Sequence, residues 1–283
     1  MLENKYFELM NKNRNIILIG AVTLFIVTMG CIGSTPDKIA IAPLPTSSET
    51  APQTDLSSLS LPENFMSLSD GLKLIPSGIS WAYFANLKQG TGIEEGAIPS
   101  VDFYGMQIIG MLNSEYSENS WVELHDVGKS ASNVRSRAGN DTDNILSTRP
   151  FIYSTKDRTS SVLALIKEPG NAAAYNTYRF LLEKVDDERA GYAKINTSAP
   201  SFANVSYIGL ISSGDDITGE IAFGIKDKAV VPLETYNNLK NSSSGRGFRS
   251  YDIILQNNTL IIRMSSNLNN DISEAAQNYG IDI

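Results

Sequence analysis

The chain has 283 residues, 42% of them hydrophobic and 19% charged, with a net charge of -8, the composition of a globular protein long enough for one large domain or two small ones. That acidity excludes nucleic acid as a partner, because phosphate binding requires clustered Lys and Arg. One Cys and one His exclude an internal disulfide and a structural zinc site, which takes about four Cys or His ligands.

The first segment, residues 1–15, carries Lys12 and Arg14 just before an uncharged run, IILIGAVTLFIVTMGCI, at 16–32. At 1.5 Å per residue a helix of that length spans roughly 25 Å, near the lower limit for a bilayer core of about 30 Å. The run reads as an export signal or a short membrane anchor. A cationic flank before it and a long polar remainder after it place the N-terminus in the cytoplasm and the bulk of the chain outside. The basic stretch, the apolar run and then Val27-Thr28-Met29-Gly30-Cys31 resemble the lipobox of exported lipoproteins. The resemblance covers about the first 34 residues. It implies cleavage after the small Gly30 and attachment of a lipid to the thiol of Cys31. The membrane is then a partner through the N-terminus, whether the run is cleaved or kept as a helix.

Residues 33–61 are dense in Ser, Thr and Pro and poor in aromatics. Such a stretch buries too little apolar surface to offset the entropy of ordering, so it reads as an extended tether. N-x-Ser/Thr sequons stand at Asn140, Asn196, Asn204, Asn241 and Asn257, about as many as composition alone predicts, and mark candidate glycosylation positions.

From residue 62 the hydrophobic pattern switches between period 2 and period 3.6. The pattern predicts a strand at 79–87, a helix over 100–112 with Val101, Tyr104, Ile108 and Leu112 on its apolar side, and a strand at 121–127. A long polar loop follows at 128–147. Next come a strand at 160–167, a helix over 172–185 and a strand at 191–197. The second half has a strand at 217–226, in which Ile217, Ile221, Phe223 and Ile225 share a face, and a helix over 231–240. It continues with a hairpin of 250–256 and 259–265 through Asn257-Asn258, and a helix over 268–279 that stops at Gly280. The first half thus reads as β-α-β-β-α-β, the split βαβ of a ferredoxin-like sandwich. The expected fold class is α+β, with a mostly antiparallel sheet and helices on one face, arranged as two units (62–200 and 201–283) or as one long sheet continuous between them.

Motifs that carry chemistry are sparse. His125 and Asp126 are adjacent on a predicted strand, so they point to opposite faces and cannot form a base pair for catalysis. Asn140, Asp141 and Asp143 offer oxygens for a hard cation, but the Gly and distant Glu of an EF-hand loop are missing. Asp186-Asp187-Glu188 closes a helix, which reads as an exposed end. Arg246, Phe248 and Arg249 form a compact basic and aromatic loop able to grip an anion or stack a ring. No nucleophile elbow, phosphate loop, dinucleotide fingerprint or metalloprotease motif is present. Most aromatic residues fall on predicted strand and helix faces and read as core. The expectation is a non-enzymatic, membrane-anchored extracytoplasmic module with no cofactor, binding a protein or small molecule outside the cell. The alternatives are a solute-binding lipoprotein of a transporter and an enzyme with a dispersed site.

Overall fold

The computed structural model describes residues 65–88, 108–126, 143–148, 150–168, 170, 172–267 and 269–281. Residues 1–64, with Cys31, the apolar run and the tether, lie outside them. The described residues fall within one compact unit.

Ten strands form one sheet: β1 (Trp81–Asn86), β2 (Gly110–Ser117), β3 (Ser120–Asp126), β4 (Asp143–Thr148), β5 (Phe151–Thr155), β6 (Tyr192–Asn196), β7 (Ala203–Ser213), β8 (Asp216–Ile225), β9 (Ser250–Gln256) and β10 (Thr259–Ser266). Their order is β4-β5-β3-β2-β1-β6-β7-β8-β10-β9, and every neighbouring pair is antiparallel. The fold is therefore α+β with an antiparallel sheet. β6 and β7 pair from Tyr192↔Leu210 to Asn196↔Ser206, so the stretches 62–200 and 201–283 share that sheet.

Period 2 sorts the side chains. On β1, Ala82 and Phe84 are buried on one face while Trp81 and Tyr83 take the other. The Phe84 face is covered by α1 (Leu68–Leu72), α2 (Lys156–Lys167) and α3 (Ala174–Leu182). Leu72, Ile166, Tyr178 and Leu181 from these helices cluster with Phe84, Leu112, Leu124, Ile152, Val205 and Tyr207. The opposite face is covered over β8, β9 and β10 by α4 (Leu233–Ser242) and α5 (Asn269–Asn278). There Tyr236, Ile272, Ala275 and Tyr279 cluster with Ile221, Phe223, Leu260 and Ile262. Each half keeps its helices on one face, as the pattern predicts, but the two halves use opposite faces. The predicted turn and stop signals are in place: Asn257 has φ +51 and Gly280 φ +74.

The element order departs from β-α-β-β-α-β. Residues 160–167, read as a strand, belong to helix α2, because Val162, Leu165 and Ile166 recur at helical spacing and bury one face. Gly110–Leu112, read as the end of a helix, begin strand β2, in which Leu112, Ser114 and Tyr116 alternate with Asn113 and Glu115; residues 100–107 lie outside the described residues. The end of the predicted loop 128–147 is the start of β4. β7 has no counterpart in the predicted elements. Val205, Tyr207 and Ile211 are buried on one face and Ile208 and Leu210 on the other, so its sequence shows no alternation. The split βαβ survives in the second half, where β8, α4 and β9 enclose the antiparallel β10.

Asp187 corrects a further expectation. It lies in a 3-10 turn (Asp187–Arg189) and is buried rather than exposed. Its Oδ2 accepts from the backbone N–H of Ser69 in α1 at 2.7 Å, and its Oδ1 accepts from the Tyr207 hydroxyl at 3.4 Å. The buried Glu220 of β8 accepts from the Asp186 N–H at 2.6 Å and from Arg263 Nε of β10 at 2.5 Å. Two carboxylates therefore fasten α1 and the 3-10 turn to the middle of the sheet. Burial raises the Asp187 carboxyl above its ordinary range, against the opposing effect of its hydrogen bonds.

Two outcomes follow. Phe84→Ala leaves a cavity at the centre of the sheet and is expected to cost about 3–5 kcal/mol in urea denaturation. A carboxyl with a raised folded pKa contributes most below its unfolded value, near pH ~3.9, and its contribution fades as pH rises through the folded value. Asp187→Asn should therefore gain stability relative to the parent as pH goes from 4 to 7 in thermal melts; a constant or shrinking difference would contradict the buried, unpaired carboxylate.

Candidate functional site

The face opposite Phe84 carries a different chemistry across β5, β3, β2, β1 and β6. The register aligns three rows on it. The first runs Trp121, Glu115, Trp81, Asn196 and Ser206. The second runs Tyr153, Glu123, Asn113, Tyr83, Lys194 and Ile208. The third runs Phe151, His125, Met111, Ala85, Tyr192 and Leu210. The third row is buried, while Trp121, Glu115, Trp81, Asn196, Tyr153, Glu123, Asn113, Tyr83 and Lys194 are half-buried. Burial thus falls from one end of these strands to the other, and aromatic rings sit beside carboxylates and amides where the face opens.

Trp81 and Tyr83 lie 5.9 Å apart at 8°, and Tyr83 and Tyr192 6.2 Å apart at 25°. Three near-parallel rings so form a stack whose Tyr192 end is buried and whose Trp81 end is the outermost. Trp121 and Tyr153 form a second pair at 4.9 Å and 50°. The two Trp residues of the whole chain both stand on this face. Beside the stack a cavity of about 340 Å³ is lined by Lys194, Asn196, Ser198, Ser206, Ile208 and the residues after α5, Gly280 and Ile281. Its walls are mainly amide, hydroxyl and ammonium groups.

Electrostatics on this face follow from burial. The Tyr83 hydroxyl is raised above its ordinary range by desolvation, a hydrogen bond with Asn113 opposes that, and Glu123 adds to it. Tyr192 is pushed up by burial and then by Tyr83. His125 Nε2 lies 3.3 Å from Glu123 Oε2, two residues away on the same face. Asp126 points to the other face, as strand alternation requires. Rings, amides and carboxylates at this spacing can bind and orient a ligand with both apolar and hydroxylic surfaces. Among the described residues no group of three or more His, Cys, Asp or Glu is placed to hold a metal ion.

The residues singled out in the sequence are dispersed. Arg246 contacts Glu274 at 3.1 Å and stands 6.0 Å over the Phe248 ring; Phe248 is buried edge-on against Tyr251; Arg249 pairs with Asp216 at 2.5 Å. The loop closes the second half of the fold with its charges matched internally. Cys31, Asn140 and Asp141 lie outside the described residues, and Asp143 opens β4. Asn204, Asn241 and Asn257 are exposed. Asn196 lines the cavity, and its Oδ1 accepts from the Ser198 N–H at 2.7 Å. The aromatic face was missed because its rings were assigned to core packing. The signal for it was present in Trp81 and Tyr83 at alternate positions of one predicted strand, with Trp121 opening another.

No family model matches the chain, and no curated protein matches it. Among solved structures, crystal form III of TP0453 is similar over 71% of this chain and 95% of that one, at 12% identity and TM-score 0.45. Crystal form I of TP0453 covers 74% and 97%, at 10% identity and TM-score 0.44.

Because Trp81 is half-buried and removed from the helix-covered core, Trp81→Ala is expected to cost less than Phe84→Ala, losing a partial area burial together with about 0.5–1.5 kcal/mol of ring stacking. A urea midpoint as low as that of Phe84→Ala, three residues along the same strand, would contradict this division of faces.

Proposed function

We propose that this protein is a non-enzymatic, membrane-anchored extracytoplasmic binding module that presents the aromatic face of its sheet to a ligand outside the cell. The observation that carries the reading is the half-open field of Trp81, Tyr83, Trp121 and Tyr153, interleaved with Glu115, Glu123, Asn113 and Asn196 and ending at a polar cavity. A contiguous, partly accessible group of rings rimmed by polar side chains is the kind of surface that marks interaction sites. The anchor reading rests on the apolar run at 16–32, on Cys31 in its lipobox-like setting and on the Ser/Thr/Pro-rich tether. A sheet continuous from β4 to β9 favours a binding module over a transporter's solute-binding lipoprotein, which closes two lobes on a deep cleft. The buried carboxylates Asp187 and Glu220 are engaged in fastening elements and lie on the opposite face from the cavity, which weighs against a dispersed catalytic site.

Fractionation of intact cells tests the anchor. The full chain is expected in the membrane fraction, cut by protease added from outside, with a mature N-terminus at a lipid-bearing Cys31 by mass spectrometry. Cys31→Ser should retain the uncleaved signal. A native chain that itself begins at Met1 and carries no lipid, with the Cys31→Ser variant equally on the membrane, identifies 16–32 as a helical anchor instead, and a protease-protected chain in the soluble fraction would contradict the proposed location.

A further inference from the structure

We infer that the aromatic face binds an uncharged polysaccharide chain laid across strands β3, β2, β1 and β6, with its end in the cavity beside Asn196. This inference rests on the binding-module reading and names the class of ligand for its site.

Four observations converge on that class. First, Trp121 and Trp81 both pair with Glu115 from opposite sides. They therefore stand two strand spacings apart, roughly 10 Å, about the length of two pyranose rings in an extended chain. A pyranose presents a face of C–H groups, which suits the electron-rich face of an indole. Second, the positions between and beside the rings are Glu115, Glu123 and Asn113, whose paired oxygens and amide groups match the vicinal hydroxyls at the rim of a sugar. Third, the same row continues from Trp81 to Asn196 and Ser206, both in the wall of the cavity of about 340 Å³. That volume accommodates one or two sugar rings, and the lining of hydroxyl and amide groups with the Lys194 ammonium can hydrogen-bond a hydroxylic guest. Fourth, two carboxylates on the face and a chain charge of -8 repel nucleic acids and polyanionic glycans.

Other occupants fit less well. A peptide strand would pair with a sheet edge, and the edges here are β4 and β9, several strands away from Trp81. An apolar helix would leave Glu115, Glu123 and Asn113 facing hydrocarbon without hydrogen bonds.

Because Trp81 and Trp121 are the two Trp residues of the chain, intrinsic tryptophan emission reads this face directly. The full chain in detergent micelles is titrated with chitohexaose, cellohexaose and maltohexaose and with the corresponding monosaccharides. In parallel it is titrated with a surface extract of the producing cells, either periodate-treated to destroy vicinal diols or protease-treated. The expected result is a saturable emission change with a hexasaccharide or with the protease-treated extract, absent after periodate and weaker for monosaccharides. Trp81→Ala, read through Trp121, should weaken binding roughly tenfold, and Trp81→Phe should restore most of it. Binding that is periodate-resistant and protease-sensitive would overturn the carbohydrate assignment and leave the binding-module reading standing. No emission response to any sugar or extract would overturn both. Binding that Trp81→Ala and Trp121→Ala leave unchanged would also overturn the assignment, since the sugar would then lie elsewhere.

Discussion

An antiparallel strand gives successive side chains to opposite faces, and in this protein that alternation runs across ten paired strands, with register shifts at Glu115/Ser117, Ile145/Ser147 and Ala203/Val205. The pairing of β6 with β7 carries it from one half of the chain to the other. Once Phe84, Leu112 and Leu124 are committed to the side under α1, α2 and α3, the register leaves no choice for their neighbours. Trp81, Tyr83, Glu115, Trp121 and Glu123 must stand together on the reverse. A slip of one residue at β1 would exchange that strand's two sets, turning Trp81 and Tyr83 toward the helices and Phe84 away from them.

The two faces are completed differently because the helices of each half arrive on opposite sides. The Phe84 side is closed along most of its length, with α3 reaching β8, and it is fastened by charge as well as by packing. Asp187 holds the N–H of Ser69, and Glu220 holds both the 186 backbone and Arg263. These contacts join residues far apart in sequence, and removing one partner leaves a buried charge uncompensated. On the reverse side α4 and α5 close the second half, where Tyr236 packs edge-on against Tyr279 at 4.6 Å and the Tyr251 and Tyr279 hydroxyls meet. Closure by α5 ends at Gly280 and Ile281, and the cavity begins there. The site is thus a consequence of where the last helix stops.

Much of the second half was legible from the sequence. The alternation of Ile217, Ile221, Phe223 and Ile225, the Asn257-Asn258 turn and the Gly280 stop are local signals, and each has its predicted place. What failed were segments where local pattern and tertiary context disagree. SSVLALIK holds a short continuous apolar run, which alone does not tell a buried strand from a helix, and its buried positions follow helical spacing. ANVSYIGLISS is apolar on both faces because it lies between two cores, so it carries no period at all. Asp187 reads as a solvated helix end, and only the approach of α1 and Tyr207 makes it a buried anchor point. The aromatic face was half-legible: its strands were predicted and Trp81 and Tyr83 alternate on one of them, but that alternation does not tell which face the helices cover and which stays half-buried. Phe84 and Tyr83 are neighbours in sequence, and the difference between them lies in which face the helices of this half cover.

Hydroxyl-radical footprinting read by mass spectrometry addresses that difference side chain by side chain. If the Trp81 face is the open one, Trp81, Trp121 and Tyr153 are oxidised several-fold faster than the buried Tyr207, Tyr178 and Phe84. Oxidation of Trp81 and Trp121 as slow as that of Tyr207 would mean that both faces of the sheet are closed and that no binding face exists there.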